Sequence, residues 1–176
     1  MLKKILIAPV IFIEHILDRV IAAAGAITFM QIPAFIVQYI QRLGGHIDEL
    51  KILIGKYKAA AADNGRTLDE YVQLHIQSGV KEFASTGKLM SENIDRFNFL
   101  NDAYQQISGA SGIKQFFLFI RKSDIDIIRG TYSDFVPGIS FSSDSLIYAA
   151  AGIVLFMSLY LIIKKTVSLI FRRFKS

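Results

Sequence analysis

The chain has 176 residues, a formal net charge of +5, no cysteine and a mean hydropathy of +0.40. That length allows one domain, and the lack of cysteine excludes disulfides, thiolate metal sites and a cysteine nucleophile. The positive balance does not point to a nucleic-acid partner, because residues 38–145 hold 12 Lys or Arg against 13 Asp or Glu and the surplus sits at the ends.

Residues 5–13 are apolar around Pro9, and Glu14, His15, Asp18 and Arg19 follow. Joined to the apolar run 20–37 they would make about 50 Å of helix, too long for one crossing. Residues 1–19 are therefore expected to lie at the membrane interface as an amphipathic segment. A cleaved secretory signal is the competing reading, with Lys3-Lys4 ahead of an apolar stretch and small residues at Ala22-Ala23-Ala24. The charges at 14–19 interrupt it where a signal core is continuous. A polar or metal site on Glu14, His15 and Asp18 is weighed against the ordinary reading, charged residues at the water boundary of a membrane helix.

Residues 20–37 and 146–163 are nearly free of charge, and 18 residues of helix span about 27 Å, close to the roughly 30 Å hydrocarbon core. Both are expected to be transmembrane helices. Lys3, Lys4, Arg19, Lys164, Lys165, Arg172, Arg173 and Lys175 flank them on one side, against Arg42, Lys51 and Arg129 on the other, which predicts both termini cytoplasmic and residues 38–145 outside. Each run holds a patch of small residues, Ala22 to Ala26 around Gly25 and Ala149 to Ala151 with Gly152. In antiparallel runs aligned end to end these patches would lie at different depths. At least one of them is then expected to contact another subunit or chain.

From the first run an apolar row continues through Ile36, Ile40, Leu43, Ile47, Leu50, Ile54, Tyr57 and Ala61, spaced four and three in alternation, the period of a coiled-coil-like helix. The opposite face reads Gln31, Gln38, Arg42, Gly45 and Glu49. Pro33 predicts a kink, and Gly44-Gly45 a bend without a break, since the row keeps its register across the pair. Asn64-Gly65 is a helix stop. Thr67 and Glu70 have capping-box spacing and open a second helix, with Leu68, Val72, Ile76, Val80 and Phe83 on one face, closed by Gly87. Ser91 is expected to cap a third helix that turns Ile94, Phe97, Leu100 or Asn101, Tyr104 and Ile107 inward. After the turn at 108–112, a fourth helix over residues 113–129 shows Phe116, Phe117, Ile120, Ile127 and Ile128, with an unusually apolar run at 116–120. Read in order, the long helix leaves the membrane, the second returns, the third leaves and the fourth returns. Residues 131–145, with Pro137-Gly138, form the re-entry loop, and Ser143 or Asp144 caps the second span. The tail 164–176 mixes basic and apolar residues as a helix on anionic lipid does.

The fold class expected is an all-α membrane protein: two transmembrane helices and an extramembrane antiparallel bundle of about four helices over residues 38–130, the first span continuous with the long helix. Chemistry is sparse. His46 and Glu49 stand three apart and His75 belongs to the next helix, but a two-helix metal site needs a third donor that this spacing does not supply. No nucleophile elbow, phosphate-binding loop, dinucleotide turn or zinc-protease motif is present. Asp124 and Asp126 point to different faces of a helix. No cofactor and no catalytic residue is assigned.

At Gln31-Ile-Pro33-Ala-Phe35-Ile-Val-Gln38-Tyr39-Ile-Gln41-Arg42-Leu43-Gly44-Gly45, followed by Asp48-Glu49-Leu50, the chain resembles a bacterial family of small two-span membrane proteins of unknown function. Its members carry a Q-F-P-x-F-x-Q-Q-Y-x-Q-R-L-G-G segment, in which Ile32 here stands for Phe and Val37 for the first paired Gln. Residues 135–138 and 148–152 are similar to its C-terminal region, and the 19 residues before Val20 exceed what the family carries. The resemblance implies the bacterial inner membrane and brings no activity. The function expected is a non-enzymatic, membrane-anchored module that oligomerises or docks on an envelope complex. Its partners would be the lipid bilayer and a second copy or other membrane proteins, and its contact residues Gln31, Pro33, Gln38, Arg42, Gly44, Gly45 and Glu49. The alternative is a subunit of a homo-oligomeric pore or transporter, with Gln31 and Thr28 on a polar path.

Overall fold

The computed structural model of the chain describes residues 2–139 and 142–174, with side chains described for 15–139, 142–167, 169 and 170. The readings placed on Pro9 and Glu14, on the interfacial side chains before His15 and on the end of the basic tail lie outside the described side chains. Six helices are present among the described residues and no strand: α1 Leu2–Asp63, α2 Leu68–Ile76, α3 Lys81–Ser108, α4 Gly112–Lys122, α5 Ile125–Ser133 and α6 Ser143–Phe174. Two of them, α1 and α6, are long and apolar enough to cross a membrane. The chain divides into two compact units, Met1–Ile36 with Val136–Ser176, and Val37–Phe135.

Helix α1 runs through Pro33 and through Gly44-Gly45 without interruption. Neither glycine has a positive φ, so the pair serves as helix and not as a turn. The predicted row is the buried one: Ile36, Leu43, Ile47, Ile54 and Ala61 are buried, while Ile40, Leu50 and Tyr57 are half-buried.

In the first unit α1 and α6 meet at their glycines. A Cβ on Gly25 would stand 2.5 Å from the Gly152 carbonyl oxygen, and one on Gly152 would strike the Gly25 carbonyl and lie 2.8 Å from Phe29 Cβ. Phe29 and Phe156 close the contact edge to face, with centroids 6.4 Å apart. This overturns the expectation that the two small-residue patches lie at different depths. End-to-end alignment of 20–37 with 146–163 would set Gly25 opposite Ser158; the observed partner is Gly152, a slip of about six residues or 9 Å. Close backbone approach at paired glycines gains more contact than matched ends do. Gln31 sits in the same unit, donating from Nε2 to the Ile27 carbonyl at 3.0 Å and accepting at Oε1 from the Gly138 N–H at 3.2 Å. The cap of α6 is Ser142, not Ser143 or Asp144: its Oγ accepts from the Ser145 N–H at 3.2 Å and lies 2.9 Å from the Ser145 hydroxyl.

In the second unit α1 ends as predicted. Gly65 takes φ 62°, the Arg66 N–H donates to the Ala61 carbonyl and the Gly65 N–H to that of Ala62, the paired bonds of a left-handed helix stop. Thr67 and Glu70 form the reciprocal cap, the Thr67 N–H donating to Glu70 Oε2 at 2.8 Å and the Glu70 N–H to Thr67 Oγ1 at 3.3 Å. Those bonds from Thr67 hold the Glu70 carboxyl below its ordinary pKa.

The next boundaries differ from expectation. Helix α2 stops at Ile76, and α3 runs from Lys81 through both Gly87 and Ser91, so neither ends or caps a helix. The break falls at Ser78-Gly79, where Ser78 Oγ accepts from the Val80 N–H at 3.2 Å. Gly87 instead lets the two helices touch: a Cβ there would lie 2.5 Å from the Ile76 nitrogen. Asn93 Nδ2 donates to the Tyr57 hydroxyl at 3.1 Å, and Tyr104 lies against Gly44, so α3 runs antiparallel to α1. The alternation of four helices is therefore wrong: α2 is too short to return, and α3 makes the return. The single helix expected over 113–129 is two, because Asp124 accepts from the Asp126 and Ile127 N–H groups at 3.0 Å and starts α5. Leu43, Leu100, Ile107 and Ile127 form the core, whereas Phe117 and Ile120 of the apolar run are 63% and 61% exposed.

Candidate functional site

One face of α1 in the second unit carries Gln38, Gln41, Arg42, Gly45, His46 and Glu49, whose successive spacings alternate three and one and keep them in a single stripe. With Thr131 and Asp134 of α5 they line a groove of about 470 Å³. Helix α5 is held beside α1 from its N-cap: the Asp124 N–H donates to the Tyr39 hydroxyl at 2.9 Å, and the Tyr39 ring meets Phe119 edge on, centroids 5.1 Å apart. Tyr39 is fully buried, and burial pushes its phenol pKa up. Arg96 adds an ion pair to Asp124 at 3.4 Å.

At the groove's centre the Arg42 guanidinium pairs with the Asp134 carboxylate and covers Gly130. A Cβ at Gly130 would meet only Arg42 side-chain atoms, Nη1 first, so the guanidinium rests against the backbone of α5 there. Both partners are partly in solvent, 34% and 68% exposed, so the pair orients the walls and is worth only about 0–1 kcal/mol. Gly45 has open space around it and leaves the groove floor low. Thr131, buried, donates its hydroxyl proton to the Ile127 carbonyl at 2.7 Å. The groove thus offers a guanidinium, carboxylates at Asp134 and Glu49, an imidazole and two amide side chains, a surface suited to hydrogen-bonding a polar partner.

Of the contact residues expected from sequence, Gln38, Arg42, Gly45 and Glu49 come together here. Gln31 and Pro33 do not, since both lie in the first unit, where Pro33 is buried and Gln31 is bonded at both ends of its amide. Gly44 faces α3, a Cβ there standing 3.6 Å from the Tyr104 ring. Gln41, which shares the helical stripe and is legible from spacing, was missed in sequence, as were Thr131 and Asp134, which are not; His46, weighed there only as a metal ligand, lies in the same stripe. The grouping of His46 and Glu49 with His75 does not form. His75 sits in a separate cleft with Leu74, Gln77, Ser78 and Phe83, its Nδ1 2.9 Å from the Tyr71 carbonyl oxygen. Among the described residues no three His, Asp or Glu side chains are placed to hold a metal ion.

No curated protein and no solved structure matches the chain. A family model described as "Protein of unknown function (DUF2937)" matches residues 13–175, leaving only residues 1–12 before it. With nearly its whole length matched, the chain belongs to the DUF2937 family, whose function is unknown.

Proposed function

We propose that this protein is a non-enzymatic, membrane-anchored docking module of the bacterial inner membrane, in which α1 and α6 cross the bilayer and the groove on α1 receives part of an envelope protein. The observation that carries the reading is the groove itself: a polar stripe of α1 walled by α5, with Arg42 clamped to Asp134 across its middle. Its one hydroxyl, on Thr131, is bonded to a backbone carbonyl and is not offered as a nucleophile, and its amide, guanidinium, imidazole and carboxylate groups can pair with a polar partner. The basic residues beyond both apolar runs support cytoplasmic termini, with residues 38–145 in the periplasm.

The pairing of Gly25 with Gly152 removes the argument that small-residue patches must seek another subunit, so a partner is sought at the groove. Gln31, spanning the Ile27 carbonyl and the Gly138 N–H, is a structural tie, which weighs against the pore reading that needed it on a polar path.

The test is site-specific photocrosslinking in intact membranes from Gln41 and from Glu49, both exposed, with exposed Lys88 of α3 as control. Discrete adducts to one protein from the two groove positions and none from Lys88 are expected, and they should be lost in Asp134→Lys. Equal adducts from all three positions, or none, would sink the groove as a docking site. Reporter fusions that put residue 100 on the same side as residue 176 would sink the topology.

A further inference from the structure

Helix α4 turns an apolar row away from the bundle it packs on. Its protein side is mixed: Phe119 meets Tyr39, Gln115 Nε2 donates to the Ile107 carbonyl at 3.1 Å, and Lys122 Nζ lies 3.2 Å from Asp102. The opposite face shows Ile113, Phe117 and Ile120, one row at spacings of four and three, at 64%, 63% and 61% exposure. No residue of α4 is buried. An apolar row this continuous marks a surface that something covers.

Two observations choose the cover. Every charged residue of α4 is a cation, and Lys114 and Arg121 are exposed along one flank of the row, the arrangement of a helix that lies on anionic headgroups. A second copy presenting the same row would bring those cations together, which disfavours self-association. The helix is also held beside Tyr39, through Phe119 and through the Asp124 N–H that follows it, and Tyr39 stands two residues beyond Val37, where the apolar run of α1 ends.

We propose that α4 is an interfacial helix whose row of Ile113, Phe117 and Ile120 rests in the headgroup boundary of the bilayer, with Lys114 and Arg121 on anionic lipid. This rests on the reading of α1 and α6 as membrane spans, and the experiment separates the two. The cysteine-free chain accepts single labels at Phe117→Cys, Ile113→Cys, Lys88→Cys and Leu155→Cys, the last on the exposed face of α6. Each full-length variant, checked for native helicity, carries an environment-sensitive fluorophore in nanodiscs of phosphatidylethanolamine and phosphatidylglycerol.

Labels at 113 and 117 are expected to be quenched several-fold more than one at 88 by a headgroup-level lipid nitroxide, and several-fold less by aqueous iodide. Omitting phosphatidylglycerol should reduce the difference. Quenching of both α4 labels by iodide as at 88, or shielding of both from either quencher, as under a protein cover, overturns the proposal. The Leu155→Cys label must respond to a nitroxide deep in the acyl chains. If it does and the α4 labels fail, only the interfacial helix falls; if it does not, the membrane reading falls with it.

Discussion

The two units hold helices together with different materials. In the first, α1 and α6 touch through Gly25 and Gly152, while large side chains such as Val154, Leu161 and Ile163 point outward. In the second, Leu43, Leu100 and Ile107 are fully buried and tyrosine hydroxyls bridge the helices, Tyr39 to Asp124 and Tyr57 to Asn93. Where the surroundings are apolar, outward leucines lose nothing and association depends on close van der Waals approach; where they are water, burial itself is the drive. That contrast is what the proposed membrane reading of α1 and α6 requires.

The comparison is broken most severely at the core of the second unit. Leu100→Ala should lower its stability by about 2–5 kcal/mol, seen as a fall in the melting temperature of the helical signal in detergent micelles. Label-to-label distances between α1 and α6 should stay unchanged. If both units melted together, they would be a single cooperative body.

Glycine substitutions sharpen the contrast by sign. Gly152→Ala should cost about 1–3 kcal/mol in a denaturant titration in micelles, because its Cβ meets backbone that cannot give way. Gly55→Ala, in a helix with nothing within 4 Å, should stabilise by about 0.5–1 kcal/mol. The same sign at both sites would deny the close helix contact in the first unit.

A smaller effect is expected at the start of α5. Tyr39→Phe leaves the Asp124 N–H without its acceptor and should cost about 1 kcal/mol, with faster amide exchange at the first turn of α5. Protection unchanged there would mean that Phe119 packing alone holds the two helices.

The smallest effect belongs to the exposed cap of α2. Thr67→Ala should remove about 1 kcal/mol from the helix terminus, read as faster exchange at Glu70. Because the folded Glu70 carboxyl titrates below its unfolded value, its contribution is complete above the unfolded range and fades as pH falls through the lowered folded value. Glu70→Gln should flatten that part of the acid-side stability curve, and an unchanged slope would assign it to other carboxylates.

How much could be read from sequence depended on how local the cause was. The row from Ile36 to Ala61, the stop at Gly65 and the reciprocal cap at Thr67 need only helical period and the backbone preferences of a few neighbours, and all three are present. Gly87 was misread because a glycine that ends a helix and one that admits a neighbouring backbone look alike until the neighbour, here Ile76, is known. The outward turn of Phe117 and Ile120 is not legible in sequence, because an amphipathic row does not say which of its sides meets protein. The contacts that decide it, with Tyr39, Asp102 and the Ile107 carbonyl, come from other helices.

Composition and period, which each segment carries alone, already make the chain helical, make two of its helices apolar enough to cross a membrane, and set a polar stripe opposite the apolar row of α1. That Gly25 meets Gly152, that α3 and not α2 runs back along α1, and that Asp134 closes a groove over Arg42 emerge in the fold. Each of those depends on which surfaces of distant segments fit closest, and fit is a property of pairs.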